Sequence, residues 1–466
     1  MAYKLSKKEI VTEIVRSGKD PVYFINNYCR ISHPMKGLIS FNTYPYQDDL
    51  LRDFNDYRFT VILKARQLGI STITAAYCVW MMLFHRDKNV LVMATKFGTA
   101  SNLVKKVKAM MKNLPPWIRI SDIKVDNRSS FELGNGSQIK AIPTSDDAGR
   151  SEALSLLIID EAQDLSSAQY KMAITAASLA GEVYIAGDDD QAIYKWAGAD
   201  VNQFINLEGK LTYLKQSYRV PRKVHDVALR IVKRIGNRKE KVWEPRSLEG
   251  TVNRHVSFEH IDMSVGEWLV LARNNYLLTQ VEEHLRKVGK VYEKNSKPSV
   301  SPILLNAILD WERLRKGERV QADKIRKIYG YMRAGKEVRR GFKTLKTAVG
   351  DEMLSIQDLK RVYGLMVDTI WHECFKLIGN TQREYLISCL RNNEKLSESK
   401  IRLNTIHASK GGESENVVIL SDMARRSYDE LYTNPDNECR TFYVGVTRTK
   451  NNLHLVNGKT RREFIF

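Results

Sequence analysis

The chain has 466 residues, 43% of them hydrophobic, which is enough to bury full-sized cores and more than one ordinary α/β unit requires, so two or three domains are expected. Its 74 Lys and Arg against 54 Asp and Glu give a formal net charge of +20, which favours a polyanionic partner, nucleic acid ahead of an anionic membrane surface. No apolar run reaches the ~18 residues of a spanning helix, the opening MAYKLSKKEI has no signal-peptide core, and Cys29, Cys78, Cys374, Cys389 and Cys439 form no C-x-x-C pair, which disfavours zinc and fits a reducing cytoplasm.

Residues 1–40 carry one helical pattern (Ile10, Ile14, Val15) and a connector rich in Tyr, Asn, Pro and Gly, and are expected to be an appendage. From 41 to about 220, the runs FTVIL (59–63), NVLVMAT (89–95), LSLLIID (154–160) and EVYIAG (182–187) alternate with helical stretches, the pattern of a parallel sheet covered on both faces. A second set, EWLVLAR (267–273), IRLNTIH (401–407), NVVIL (416–420) and NLHLV (452–456), predicts another α/β unit over 221–285 and 401–466. Residues 286–400, rich in Lys, Arg, Leu and Ile at helical spacing, read as a helical insertion in that second unit.

Lys64-Ala-Arg66-Gln-Leu-Gly69-Ile70-Ser71-Thr72 follows the first strand and opens a helix, the context in which backbone N–H groups cradle phosphate. Ile70 stands where the usual G-K-[ST] has its lysine; read alone, the segment is equally a strand-to-helix turn with a capping serine. About ninety residues later a strand ends in Asp160-Glu161-Ala-Gln163-Asp164. That order suits a metal-binding aspartate, with Ser71 as its second ligand, beside a carboxylate that orients attacking water. A lone Asp-Glu at a strand end is usually a solvated helix start; after a phosphate loop it points to catalysis on ATP with Mg2+.

TYPYQDDLLRDF, ILKARQLGIST, VLVMATKFGTASNL and NGSQIKAIPTSDDAGRSEALSLLIIDEA resemble the ATPase half of tailed-phage large terminase subunits over roughly residues 20–162. The resemblance implies that Gln47 contacts adenine and that Lys64 or Arg66 replaces the missing lysine, a substitution that needs only a cationic charge near the β and γ phosphates. From Asp160 onward the sequence resembles UvrD/Rep-type superfamily 1 helicases: DEAQDLS as Walker B, AGDDDQAIYKWAGAD (186–200), LKQSYR (214–219), WLVLARNN, IRLNTIHASKGGESENVVIL and RTFYVGVTRTK (440–450). That family implies two RecA-like P-loop NTPase domains with ATP between them. It places Gln191, Arg219 and Arg448 at the γ-phosphate, Arg273 at the nucleotide and Glu413 near the ribose. Trp196 with Tyr194 would stack on bases, and Thr405 and His407 would lie near DNA, as would Thr95, where both families put a strand-end residue.

Stacking on an indole suits a motor indifferent to sequence, and arginines supply charge where the transition state gathers it. Taken singly, Tyr194 and Trp196 could be core aromatics, His407 a satisfied core histidine and either arginine a surface ion pair. Lys105, Lys106 and Lys108, and the basic run through Lys324, Arg326, Lys327, Arg333, Lys336, Arg339, Arg340, Lys343 and Lys346, add charge for phosphate contacts or form solvated helix faces. The expected function is an ATP-dependent DNA helicase or translocase acting on single-stranded DNA or a single/double-strand junction, located in the cytoplasm, the host's if phage-encoded. The alternatives are a packaging ATPase without its nuclease domain, and a DNA-binding protein with an inactive nucleotide site.

Overall fold

The apolar runs become, in the computed structural model, parallel strands joined by helices; the structure describes residues 6–33, 37–64, 68–95, 97–143, 153–346 and 348–466. The chain forms two units: Met1–Glu249 with Glu430–Thr447, and Gly250–Asp429 with Arg448–Phe466.

The first unit is built on an eight-stranded sheet in the order Lys210–Leu214, Phe59–Lys64, Ala180–Gly187, Leu154–Asp160, Asn89–Ala94, Gln138–Pro143, Ser130–Leu133, Ile123–Asn127. The first six strands run parallel and the last two are added antiparallel at one edge. Alternate residues of Phe59–Lys64 enter different cores: Ile62 packs in the cluster containing Ala75, Met82 and Val104, and Val61 and Leu63 in the one containing Tyr170 and Ala173. Helices therefore cover both faces, and the strands read as continuous apolar runs.

Two expected boundaries move. The start of the chain is part of the first unit: Asp20 caps the helix Pro21–Tyr28, whose Phe24 and Ile25 are fully buried, and Trp80 Nε1 donates to the Ser17 carbonyl at 2.9 Å. The end of the unit expected near residue 220 falls after Glu249, because the helix Arg222–Val232 packs against Pro435–Val446, a segment expected in the second domain.

The second unit carries a seven-stranded sheet in the order Thr251–His255, Thr449–Val456, Ser414–Leu420, Trp268–Ala272, Ile401–Thr405, Tyr292–Lys294, Lys297–Pro298, parallel except for the last pair. The helix Leu278–Lys287 and the strand Tyr292–Lys294 belong to this α/β layer, so the insertion begins later than residue 286. Its helices, Pro302–Arg315, Ala322–Gly330, Ile356–Arg361, Trp371–Cys374 and Asn380–Arg391, gather around the buried Trp311, whose Nε1 donates to the Thr369 carbonyl at 3.0 Å. Two mostly parallel α/β units, the second with a helical insertion, are thus the observed architecture. Among the described residues no helix is long and apolar enough to cross a membrane.

Candidate active site

Parallel strands joined by right-handed crossovers leave a crevice at their carboxyl ends, where ligands bind in open α/β sheets. In the first unit Lys64, Asp160 and Gly187 end their strands there, with Leu63 in register with Gly187 and Ala94 with Asp160. Gly69 caps the helix Ile70–Phe84 at φ +69°, and a Cβ on it would meet Gln47 Nε2 at 2.8 Å. Gln47 is buried; its Nε2 donates to the Leu68 carbonyl at 3.0 Å, as the Tyr46 hydroxyl does at 2.9 Å, while its Oε1 accepts from Tyr44 N. Gln47 thus ties the helix Pro45–Asp56 to Leu68, just before the helix cap at Gly69. Ile70 turns into the core, 6% exposed, so the position that usually carries the lysine points away from the crevice.

Lys64 Nζ makes a close ion pair with Asp160 Oδ1 and lies 3.8 Å from Glu161 Oε1. Ser71 Oγ donates to Asp160 Oδ2 at 3.2 Å, and the Glu161 amide to Asp160 Oδ1 at 2.9 Å. Glu161 holds φ +54°, a left-handed conformation uncommon outside glycine and of the kind that clusters at functional sites. Lys106, on the helix Phe97–Lys112, reaches Thr72 Oγ1 at 3.0 Å; burial lowers its pKa, partly offset by Asp160. Its neighbour Lys108 pairs instead with Asp126 at 3.0 Å, while Lys105 is exposed. Arg66 lies outside the described residues.

A hydrogen-bond chain leads away from Glu161. Gln163 Nε2 donates to Glu161 Oε2 at 2.7 Å, Gln163 Oε1 accepts from Asp188 N at 3.0 Å, and Asp188 Oδ2 accepts from Gln191 Nε2 at 2.5 Å. Asp188, Asp189 and Asp190 are all buried around the Lys241 ammonium, 3.0 Å from Asp188 and 3.1 Å from Asp190, with Arg238 making two 2.8 Å bonds to Asp190. Burial opposes the charge on Lys241, but the three carboxylates win and hold its pKa above the ordinary lysine value. Arg219 is also buried, donating to the Thr447 carbonyl at 3.3 Å.

Trp196 is 74% exposed and meets Tyr194 edge-on with centroids 6.1 Å apart, which excludes the core reading for the indole. Thr95 stands half-buried just past the end of Asn89–Ala94, on the crevice side of the sheet.

The second unit separates its candidates. Arg273 follows Ala272, which is in register with Thr405, so Arg273, Thr405 and His407 share the carboxyl edge of that sheet. Glu413 and Arg448 lie at the opposite edge, before Ser414–Leu420 and Thr449–Val456. Arg273 is therefore grouped with the DNA candidates and away from Glu413. Arg448 is fully buried and donates to the Gly412 carbonyl at 3.4 Å; Glu413 pairs with Lys450 at 2.6 Å. The Thr405 hydroxyl accepts from the Ala408 amide at 3.2 Å, closing the turn that presents the half-buried His407.

Residues 147–212 match the UvrD/REP helicase N-terminal domain and residues 400–456 the UvrD-like helicase C-terminal domain. These two stretches are UvrD-like. The ATP-dependent DNA helicase PcrA of Bacillus subtilis (strain 168) is 27% identical over 182 residues, 38% of this chain and 24% of that protein. The PcrA of Staphylococcus aureus (strain COL) is 33% identical over 141 residues, 29% of this chain and 18% of that one. The chain thus spans a quarter or less of the length of these curated relatives. Among solved structures, the HK97 bacteriophage large terminase aligns at 17% identity and TM-score 0.33 over 40% of this chain and 39% of its own. The Arterivirus nonstructural protein 10 helicase in complex with DNA aligns at 11% and 0.35 over 92% and 70%.

Several site residues escaped sequence reasoning. Tyr218 joins Tyr44 and Tyr46 in an aromatic cluster beside Gln47, with centroids 5.6 and 6.2 Å from theirs, and Tyr44 stacks on Tyr46 at 5.7 Å. The Tyr-Pro-Tyr before Gln47 was the available signal. Gln163 was visible inside DEAQD and Lys106 only as one of three neighbouring lysines, whereas Lys241 lies 52 residues from Asp189, in a segment without a motif.

Proposed function

We propose that this chain is an ATP-hydrolysing DNA helicase or translocase of the UvrD/Rep type that moves on single-stranded DNA. The observation that carries the proposal is the meeting of Lys64, Ser71 and Asp160 at the carboxyl ends of parallel strands, with Glu161 beside them. The triphosphate lies on the N-terminal amides of Ile70–Phe84 and the adenine against Gln47 and the three tyrosines. Lys64 supplies the charge that Ile70 cannot.

Ser71 Oγ and Asp160 Oδ2 are two oxygen donors of the kind Mg2+ takes alongside phosphate and water. Among the described residues there is no group of three or more His, Cys, Asp or Glu that would hold an ion alone. When bound, Mg2+ neutralises charge on the phosphates. Glu161, oriented by Gln163, accepts a hydrogen bond from the attacking water and takes its proton as the bond to the leaving ADP breaks. The chain Glu161–Gln163–Asp188–Gln191 then links hydrolysis to the segment bearing Trp196, on which an unpaired base stacks. Arg219 and Arg448 are assigned to the γ-phosphate, and Glu413 to the ribose, on the resemblance alone. Arg273 goes with Thr405, His407 and Thr95 as DNA-facing residues.

ATP turnover measured with and without single-stranded DNA tests this. The native chain should be stimulated by DNA and Glu161→Gln should lose at least a hundredfold in kcat, with nucleotide binding kept. The buried Ile70 favours a second reading, a DNA-binding protein with a silent nucleotide site. DNA binding without any phosphate release by the native chain would establish that reading instead.

A further inference from the structure

Lys106 is not part of any phosphate-binding motif, yet its ammonium sits against the phosphate loop. The helix Phe97–Lys112 leaves the carboxyl end of Asn89–Ala94 and packs along Ile70–Phe84, which carries Lys106 Nζ to 3.0 Å from Thr72 Oγ1. Thr72 is the third residue of the loop helix, one place beyond Ser71. Among the described residues that neutral hydroxyl is the hydrogen-bond partner of Lys106, and no carboxylate pairs with it. Asp160 and Lys64 act on it only through space. Its helix neighbours behave differently, since Lys108 and Lys112 both pair with Asp126. A half-buried ammonium without a counter-ion is costly, and it is retained where an anion completes it.

We propose that Lys106 is a phosphate-binding residue: its ammonium contacts the nucleotide's phosphate chain at Thr72 and, with Lys64, replaces the lysine displaced by Ile70. The assignment rests on the nucleotide reading above and divides its work between two cations. Lys64, against Asp160 and Glu161, serves turnover; Lys106, held at Thr72, serves ground-state affinity.

Equilibrium binding of ATP, ADP and AMP to the full chain, with native, Lys106→Met and Lys106→Arg forms compared at matched thermal stability, tests it. ATP and ADP affinity should fall about tenfold to a hundredfold in Lys106→Met, AMP affinity should change little, and Lys106→Arg should recover most of the loss. The kcat at saturating ATP should drop far less than KM rises. Native ATP affinity in Lys106→Met, or an equal loss for all three nucleotides, would overturn the assignment and leave Lys106 a tether of Thr72. Failure of the native chain to bind ATP would overturn the nucleotide reading and this assignment with it.

Discussion

Ile70 is the residue at which the loop departs from its usual chemistry, and the structure explains why restoring a lysine would not repair it. Its side chain lies in the same buried core as Leu68, Ile73 and Tyr77. Ile70→Lys would bury an ammonium among apolar groups, at a cost of several kcal/mol unless the lysine is neutral. A lowered melting temperature and no gain in ATP turnover are expected. Higher turnover at unchanged stability would show that the helix start can rotate its first residue into the crevice. Motif residues such as Gly69, Asp160 and Gln191 could be named from their order in the sequence because each sits at a strand end or helix start that its neighbours specify. The inward turn of Ile70 could not, since it depends on where the core lies beneath the helix.

Asp188–Gln191 forms a short element held by charges rather than by packing. Three consecutive aspartates are buried around Lys241, and Arg238 closes the outer side of Asp190. Lys241→Met would leave those carboxylates with one cation fewer, and removing one partner from a buried ionic group costs about 3–5 kcal/mol. The raised pKa of Lys241 means that its contribution is fully present below the ordinary lysine value near ~10.4 and is lost only as the pH rises through its folded value. Burial already raises the pKa of Asp188 and Lys241 pulls it down, so in Lys241→Met that carboxyl should take up a proton more readily and the stability deficit should be largest at about pH 8 and shrink towards about pH 5. Thermal melts across that range check the sign, and a deficit independent of pH would mean that the loss is one of packing. This element was half legible: AGDDDQAIYKW announced itself, but nothing in the sequence tied it to Lys241, fifty residues on. The same limit applied to the strands. Those buried on both faces stood out as apolar runs, while half-exposed ones such as Lys210–Leu214 and Thr251–His255 lacked enough apolar contrast to be read.

At the scale of the whole chain the net charge of +20 predicts salt-sensitive binding to a polyanion, but the surface does not offer all of that charge. In the helical insertion Arg326 is tied to Asp323, Arg333 pairs with Glu337 at 2.6 Å, and Lys324 lies 3.9 Å from Asp310. Lys327, Lys336, Arg339, Arg340, Lys343 and Lys346 have no ion pair among the described residues, and these are the insertion's candidates for phosphate contact. Each backbone contact contributes about −0.9 to the slope of log affinity against log salt on duplex DNA and about −0.7 on single strands. Replacing Lys343 and Lys346 together by Gln should therefore flatten the slope by one to two units, roughly, and weaken all sequences alike. The effect should be greater at 50 mM than at 200 mM salt. Binding titrations on a partial duplex over that range decide the matter: an unchanged slope would place the DNA away from the insertion and would make the insertion's positive charge a matter of its own fold.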